Sequence, residues 1–171
     1  MNRKNIFYSI FYLSVVCLIL FAIASCSKKN DDAAGGTYYM HFKANGVQKE
    51  FTTGVQAARA DTEGLYDCIL SGFSATANFS IILFDHAPIS ANFNYTEAIL
   101  PGTASPYAFI VYQDETNTTF ISSGQQSNAK ASATITELGS NYVKGVFSGV
   151  LFSGQTQMNI TDGEFYLKLY N

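Results

Sequence analysis

Cys26 is the residue whose chemistry its neighbours specify most sharply. It follows Ile23-Ala24-Ser25 at the end of an uncharged apolar run that begins at Ile6, with Arg3 and Lys4 ahead of it. Positive, apolar, small and then a thiol: that order reads as a lipoprotein cleavage box, in which the sulfur takes a lipid and a signal peptidase cuts before it. A retained membrane helix is the competing reading, since about 17–25 apolar residues cross a bilayer. Tyr8, Ser9, Tyr12 and Ser14 dilute the first half of the run, and Ala22, Ala24 and Ser25 cluster at its end, which favours cleavage. Each buried methylene adds about 0.8 kcal/mol, so two or three acyl chains anchor firmly where one does not.

The other reactive side chains are sparse. Removal of residues 1–25 takes Cys17 away, and acylation consumes Cys26, which leaves Cys68 as the one spare thiol. A single cysteine makes no internal disulfide. Cys68 lies in the strand-like run Leu65 to Leu70, where a buried, inert thiol is expected, because a nucleophile needs a neighbouring base. The two histidines are His41, which alternates outward on a strand, and His86, which follows Asp85 at a strand end. Asp85-His86 is half of an acid–base pair or a metal ligand on one reading, and a solvated strand end on the other. Asp61, Glu63 and Asp67 gather around one turn and are the candidate ligands for a hard cation. Calcium, however, wants six to eight convergent oxygens, and turns attract Asp for backbone reasons. No nucleophile elbow, phosphate-cradling glycine loop or metalloprotease helix motif occurs, and neither a cofactor nor catalysis is expected.

The aromatic residues offer a different chemistry. The chain has 14 Phe and 11 Tyr and no Trp. Alternating Phe is core, whereas Tyr suits both a sheet edge and a binding surface, because its ring is apolar and its hydroxyl polar. Tyr39, Tyr142, Tyr166 and Tyr170 are the candidates to project from outer sheet faces, where they would meet a glycan or peptide. The absence of Trp weighs against a sugar platform, and exposed Tyr also occurs on strands for β propensity alone.

The elements that must position these residues have a period of two. Met40, Phe42 and Ala44 alternate with Tyr39, His41 and Lys43, and Asn45-Gly46 then makes a hairpin turn. Ala131, Ala133 and Ile135 alternate with Ser132, Thr134 and Thr136. Phe165, Leu167 and Leu169 face a core, with Glu164, Tyr166, Lys168 and Tyr170 outward. Turns are expected at residues 61–64, at Gly139-Ser140-Asn141 and at Asp162-Gly163. Ile81 to Phe84 and Phe109 to Tyr112 are apolar on both faces, so they are central strands or one face lines a groove. About eight to ten short strands with regular turn signals predict an all-β fold, an antiparallel β-sandwich, with a lipocalin-like β-barrel as the alternative.

The organisation that follows is a signal peptide over 1–25, a lipidated cysteine and flexible tether over 26–36, and a single sandwich domain over 37–171. The tether, polar and then small, spans roughly 15–20 Å as a coil. Its Lys28-Lys29-Asn30-Asp31-Asp32 resembles the export signals of surface lipoproteins of the Bacteroidota, with Asn30 interrupting the pattern. Further on come Phe42-Lys43-Ala44-Asn45-Gly46, then Ile135 to Gly139, Val143 to Gly149, and Ile160 to Phe165. This ordered set resembles the small all-β lipoproteins of unknown function from the Bacteroidota. The resemblance implies a fold and a location, and no catalytic residues.

The net charge is −3 and the basic residues are scattered, which excludes the basic stripe that nucleic acid requires. The partners expected are a membrane through the N-terminal lipid, and an outer-membrane protein or a glycan. The expected address is the outer membrane, facing the periplasm or the cell surface. The leading function class is a non-catalytic binding or assembly module of the cell envelope. A lipocalin-like carrier of a small apolar ligand comes next, and an enzyme using Asp85 and His86 after it.

Overall fold

The computed structural model describes residues 37–62, 64–96, 106–122, 126 and 128–170. The segments expected as a signal peptide and a tether, and Cys26 between them, lie outside the described residues, as does Glu63. The described residues fold as an all-β unit of eleven strands, with no helix among them. In chain order these are β1 (Tyr39–Ala44), β2 (Val47–Phe51), β3 (Gln56–Thr62), β4 (Leu65–Phe73), β5 (Asn78–Asp85), β6 (Phe93–Thr96), β7 (Tyr107–Gln113), β8 (Thr119–Ile121), β9 (Lys130–Leu138), β10 (Tyr142–Ser153) and β11 (Thr156–Tyr170).

Two layers result. One runs β2-β1-β11-β10-β9-β6, and the other runs β3-β4-β5-β7-β8. Corner pairings join the layers into one mixed eleven-stranded sheet: β11 with β3, β6 with β7, and β10 with β8. The pairing is antiparallel everywhere except at the first two of these corners, which are parallel and make the sheet mixed. They are short, with three residues at β11–β3 and one at β6–β7, and occur where the chain passes between layers.

The inner faces meet in a core of aromatic and aliphatic side chains. The Phe42 ring of β1 lies 4.3 Å from Phe79 of β5 and 5.5 Å from Tyr112 of β7, and Phe79 lies 5.1 Å from Phe147 of β10. Met40, Phe42, Ile81, Leu83, Ile135 and Leu167 are fully buried, as the two-residue alternation requires. β5 and β7 are central strands, each hydrogen-bonded on both sides, with one row of apolar side chains in the core and the other half-buried on the outer face.

The hairpin signals divide by position. At Asn45-Gly46 both residues have positive φ, and Ala44 pairs with Val47, as a type I′ turn demands. At Asp162-Gly163 no turn forms, and β11 runs straight through. The reversal between β10 and β11 falls instead at Gly154-Gln155, where Ser153 pairs with Thr156 and Gly154 has φ 59°. Asp61 and Thr62, expected in a turn, are the end of β3. β3 and β6 raise the strand number above the expected range. β3 reads Gln-Ala-Ala-Arg-Ala-Asp-Thr, in which the terminal Thr62 is alone among the β-branched and aromatic residues that announce a strand.

Candidate functional site

Outward side chains of the first layer line up across five strands. His41 of β1 pairs with Glu164 of β11, Glu164 with Val146 of β10, Val146 with Thr134 of β9, and Thr134 with Asn94 of β6. The neighbouring row on this face joins Tyr39, Tyr166, Lys144 and Glu137 by the same kind of pairing. Cross-strand partners sit about 4.5–5.5 Å apart at Cβ, so each row is a continuous surface.

A bulge in β11 opens a depression in this surface. Phe147 pairs with Gly163, but Gly149 pairs with Ile160, so β11 carries one residue more than β10 over the same stretch. The same shift recurs against β1, between His41 and Lys43. Asp162 takes the left-handed conformation, φ 52°, that a bulge of this kind uses. A Cβ on Gly163 would lie 2.5 Å from the Phe147 carbonyl oxygen, so no side chain can stand there. The depression that results has a volume of about 460 Å³. It is lined by the Val146 side chain, by backbone at the inward-facing Phe147 and at Gly163, and by Ser132, Thr134, Ser148, His41, Asp162 and Glu164. Val146 is 47% exposed, an apolar side chain open to solvent in the middle of polar neighbours.

The rim is self-neutralised and orderly. Tyr39 donates its hydroxyl to Glu164 Oε1 at 2.5 Å, and His41 Nε2 lies 3.6 Å from Glu164 Oε2. The bond to Glu164, then burial, pushes the Tyr39 phenol up to about 12. Lys43 Nζ pairs with Asp162 at 2.9 Å. Lys144 pairs with Glu137 at 3.1 Å, while Tyr142 donates to the same carboxylate at 3.3 Å. The hydrogen bond to Glu137 raises the pKa of Lys144. Its ammonium stands 5.6 Å from the Tyr142 ring centre and 5.1 Å from that of Tyr166. Ser132 and Thr134 both donate to Asn94 Oδ1, at 2.9 and 3.1 Å.

Three of the four candidate tyrosines therefore converge. Tyr166 lies 5.7 Å from Tyr142 and 6.3 Å from Tyr39 between ring centres, and Tyr38 joins them at 4.9 Å from Tyr166. Tyr170 is not part of the group. It is 50% exposed, pairs with Ala58 of β3, and lies near Lys168. Sequence reasoning missed Ser132, Thr134, Val146, Ser148 and Glu164 as site residues. The outward direction of Ser132, Thr134 and Glu164 was legible, but nothing local states that β1, β11, β10 and β9 lie side by side.

The other candidates separate. Asp61 pairs with Tyr66 and Asp67 with Ala60, so the two carboxylates leave opposite faces of the β3–β4 ribbon and do not converge on a cation. Burial also raises the Asp67 pKa, which opposes the charged form a cation needs. Asp61 and Asp67 both border a smaller depression of about 300 Å³, lined also by Arg59, Tyr66, Pro88 and Ile89, but no group of three metal-ligating side chains forms there among the described residues. Cys68 is fully buried, and burial pushes its thiol up to about 12. Asp85 Oδ1 accepts the Ala87 N–H at 3.0 Å and so shapes the turn that carries the exposed His86.

No protein-family model matches the chain, no curated protein matches it, and no solved structure matches it.

Proposed function

We propose that this protein is a lipid-anchored, non-catalytic binding module of the outer membrane, attached through Cys26, which presents the outer face of β1, β11, β10 and β9 to its partner. The observation that carries the reading is the convergence of Tyr39, Tyr142 and Tyr166 beside an open, polar-rimmed depression. Small-molecule and partner sites combine such apolar surface with a few fixed polar groups. A carrier of apolar ligands fits less well. Its cargo needs an empty interior, and here Phe42, Phe79, Tyr112 and Phe147 fill the space between the layers. The resemblance to Bacteroidota lipoproteins supports the address.

Two measurements on the full-length chain, expressed in a bacterial host, test the reading. Mass spectrometry of the membrane-extracted protein is expected to find residue 26 at the N-terminus with lipid on its sulfur, and Cys26→Ser to remain unprocessed. The purified lipoprotein is expected to co-sediment with outer-membrane preparations. A Tyr39→Ala/Tyr166→Ala variant of unchanged melting temperature is expected to sediment less. An unmodified Cys26, or sedimentation indifferent to the double variant, overturns the corresponding half.

A further inference from the structure

We infer that the depression over the β11 bulge is a subsite for a neutral saccharide, an inference that rests on the binding reading above and names its ligand class. A pyranose ring has two kinds of surface: an apolar face of C–H groups and a perimeter of hydroxyls. The depression is built in the complementary way. Its floor is the Val146 side chain with the bare backbone at Phe147 and Gly163, and its rim carries serine and threonine hydroxyls, two carboxylates and an imidazole. An apolar ligand would take water from the lone pairs that these groups do not use among themselves, and a buried polar group left unsatisfied costs about 1–3 kcal/mol. A ligand polar on every side would cover Val146 for no gain.

Charge narrows the class further. Asp162 is paired with Lys43, Glu164 with His41 and Tyr39, and Glu137 with Lys144. Each carboxylate of the face already holds a donor or a cation, so an anionic ligand would have to break a pair to gain one, and a cationic ligand would meet carboxylates whose charge is already offset. A neutral polyol instead takes the remaining lone pairs of the same carboxylates, which accept from hydroxyls strongly because they are charged. The bulge explains why the subsite lies here. Its extra residue turns both Thr161 and Asp162 outward at one side of the depression and so breaks the regular alternation of the face there. Tyr39 and Tyr166, one row away, extend the surface for a second sugar unit.

The test is an array of neutral oligosaccharides covering gluco-, galacto-, manno-, xylo- and N-acetylhexosamine linkages, with polygalacturonate, heparin and extended peptides on the same surface. It is probed with the purified lipoprotein in detergent. Retention on at least one neutral class is expected. Val146→Glu, which places a buried charge under the ring, is expected to weaken it at least about tenfold. Glu164→Gln, which keeps the shape, is expected to weaken it by a smaller factor. Tyr170→Ala is expected to leave it unchanged. Melting curves establish that all three variants fold. Retention on no neutral class, retention only on the anionic polymers or peptides, or retention indifferent to Val146→Glu each overturns the inference. If outer-membrane sedimentation persists with the array blank, the ligand class has failed and the binding module has not.

Discussion

The two layers share one interior but turn very different outer faces outward. On the β4–β5–β7 layer the outward rows read Asp67–Phe84–Tyr107 and Ile69–Ile82–Phe109. Phe84 stacks on Tyr107 at 4.6 Å, and the single carboxylate in these rows, Asp67, has its pKa raised by burial. On the β1–β11–β10–β9 layer the equivalent rows carry Tyr, His, Lys, Glu and Thr, each with a polar or ring partner across the strands. The inward alternation of both layers specifies a fold and nothing more. The outward residues differ because one face is largely removed from water and the other is kept wet and chemically addressed.

The shared interior sets the largest expected effect. Phe79→Ala removes the ring that touches Phe42, Tyr112 and Phe147 together, and a cavity at such a position costs about 3–5 kcal/mol. Denaturant unfolding checks it. A loss below about 1 kcal/mol would mean that the layers are not held by this cluster. The next effect tests the layer that carries the site. A Cβ at Gly145 would lie 2.2 Å from the Thr134 carbonyl oxygen and 2.4 Å from the Phe165 ring. Gly145→Ala therefore has to shift β9 or Phe165, at a cost of about 1–3 kcal/mol. The same measurement detects it.

A matched pair of smaller substitutions sharpens the contrast between the faces. Ile82 and Val146 are both outward, but Ile82 is half-buried and Val146 is open. Ile82→Ser is expected to cost about 1 kcal/mol, part of the full transfer value of the side chain. Val146→Ser is expected to stay within about 0.5 kcal/mol of wild type while weakening retention of ligand. Equal destabilisation by the two would erase the distinction drawn here. Stability belongs to one outer face and recognition to the other only if the two substitutions part in this way.

How far the sequence discloses this depends on the element. β1 and the last part of β11 were legible because Met40-Phe42-Ala44 and Phe165-Leu167-Leu169 alternate cleanly, and a one-residue slip would expose every one of them. β3 was hidden, since alanines and charges carry no strand signal and its three-residue pairing to β11 comes from the far end of the chain. Asp162-Gly163 is the instructive error. A turn and a bulge both ask for a residue that tolerates positive φ followed by a glycine, so the dipeptide cannot distinguish them. What decides is that β10 and β1 hydrogen-bond to β11 on both sides of the irregularity. The site was legible to the same extent: the tyrosines were visible as outward residues, while the depression depends on the bulge. Tyr170 differs from its partners for an equally non-local reason, because β11 leaves β1 and joins β3 before reaching it.

The smallest effect is a titration that reads the wet face alone. Glu164 holds the Tyr39 phenol at about 12, against about 10 for a free tyrosine. The folded state thus keeps this proton longer than the unfolded chain does. The stabilisation is complete below about pH 10 and is lost as the pH rises through about 12. Tyr107 also ionises late, at about 12, but through its burial in the other layer, with Asp67 adding to the effect. Ultraviolet titration of the wild type is therefore expected to contain at least two late tyrosines, and Glu164→Gln should return only one of them towards the ordinary value. Should the variant leave the late phase intact, Glu164 does not hold Tyr39, and the row that joins the tyrosines to the depression loses its central bond. Should it shift both, the two outer faces are electrostatically coupled through the core. That outcome contradicts their separation more directly than any stability measurement, because it needs no assumption about what either face binds.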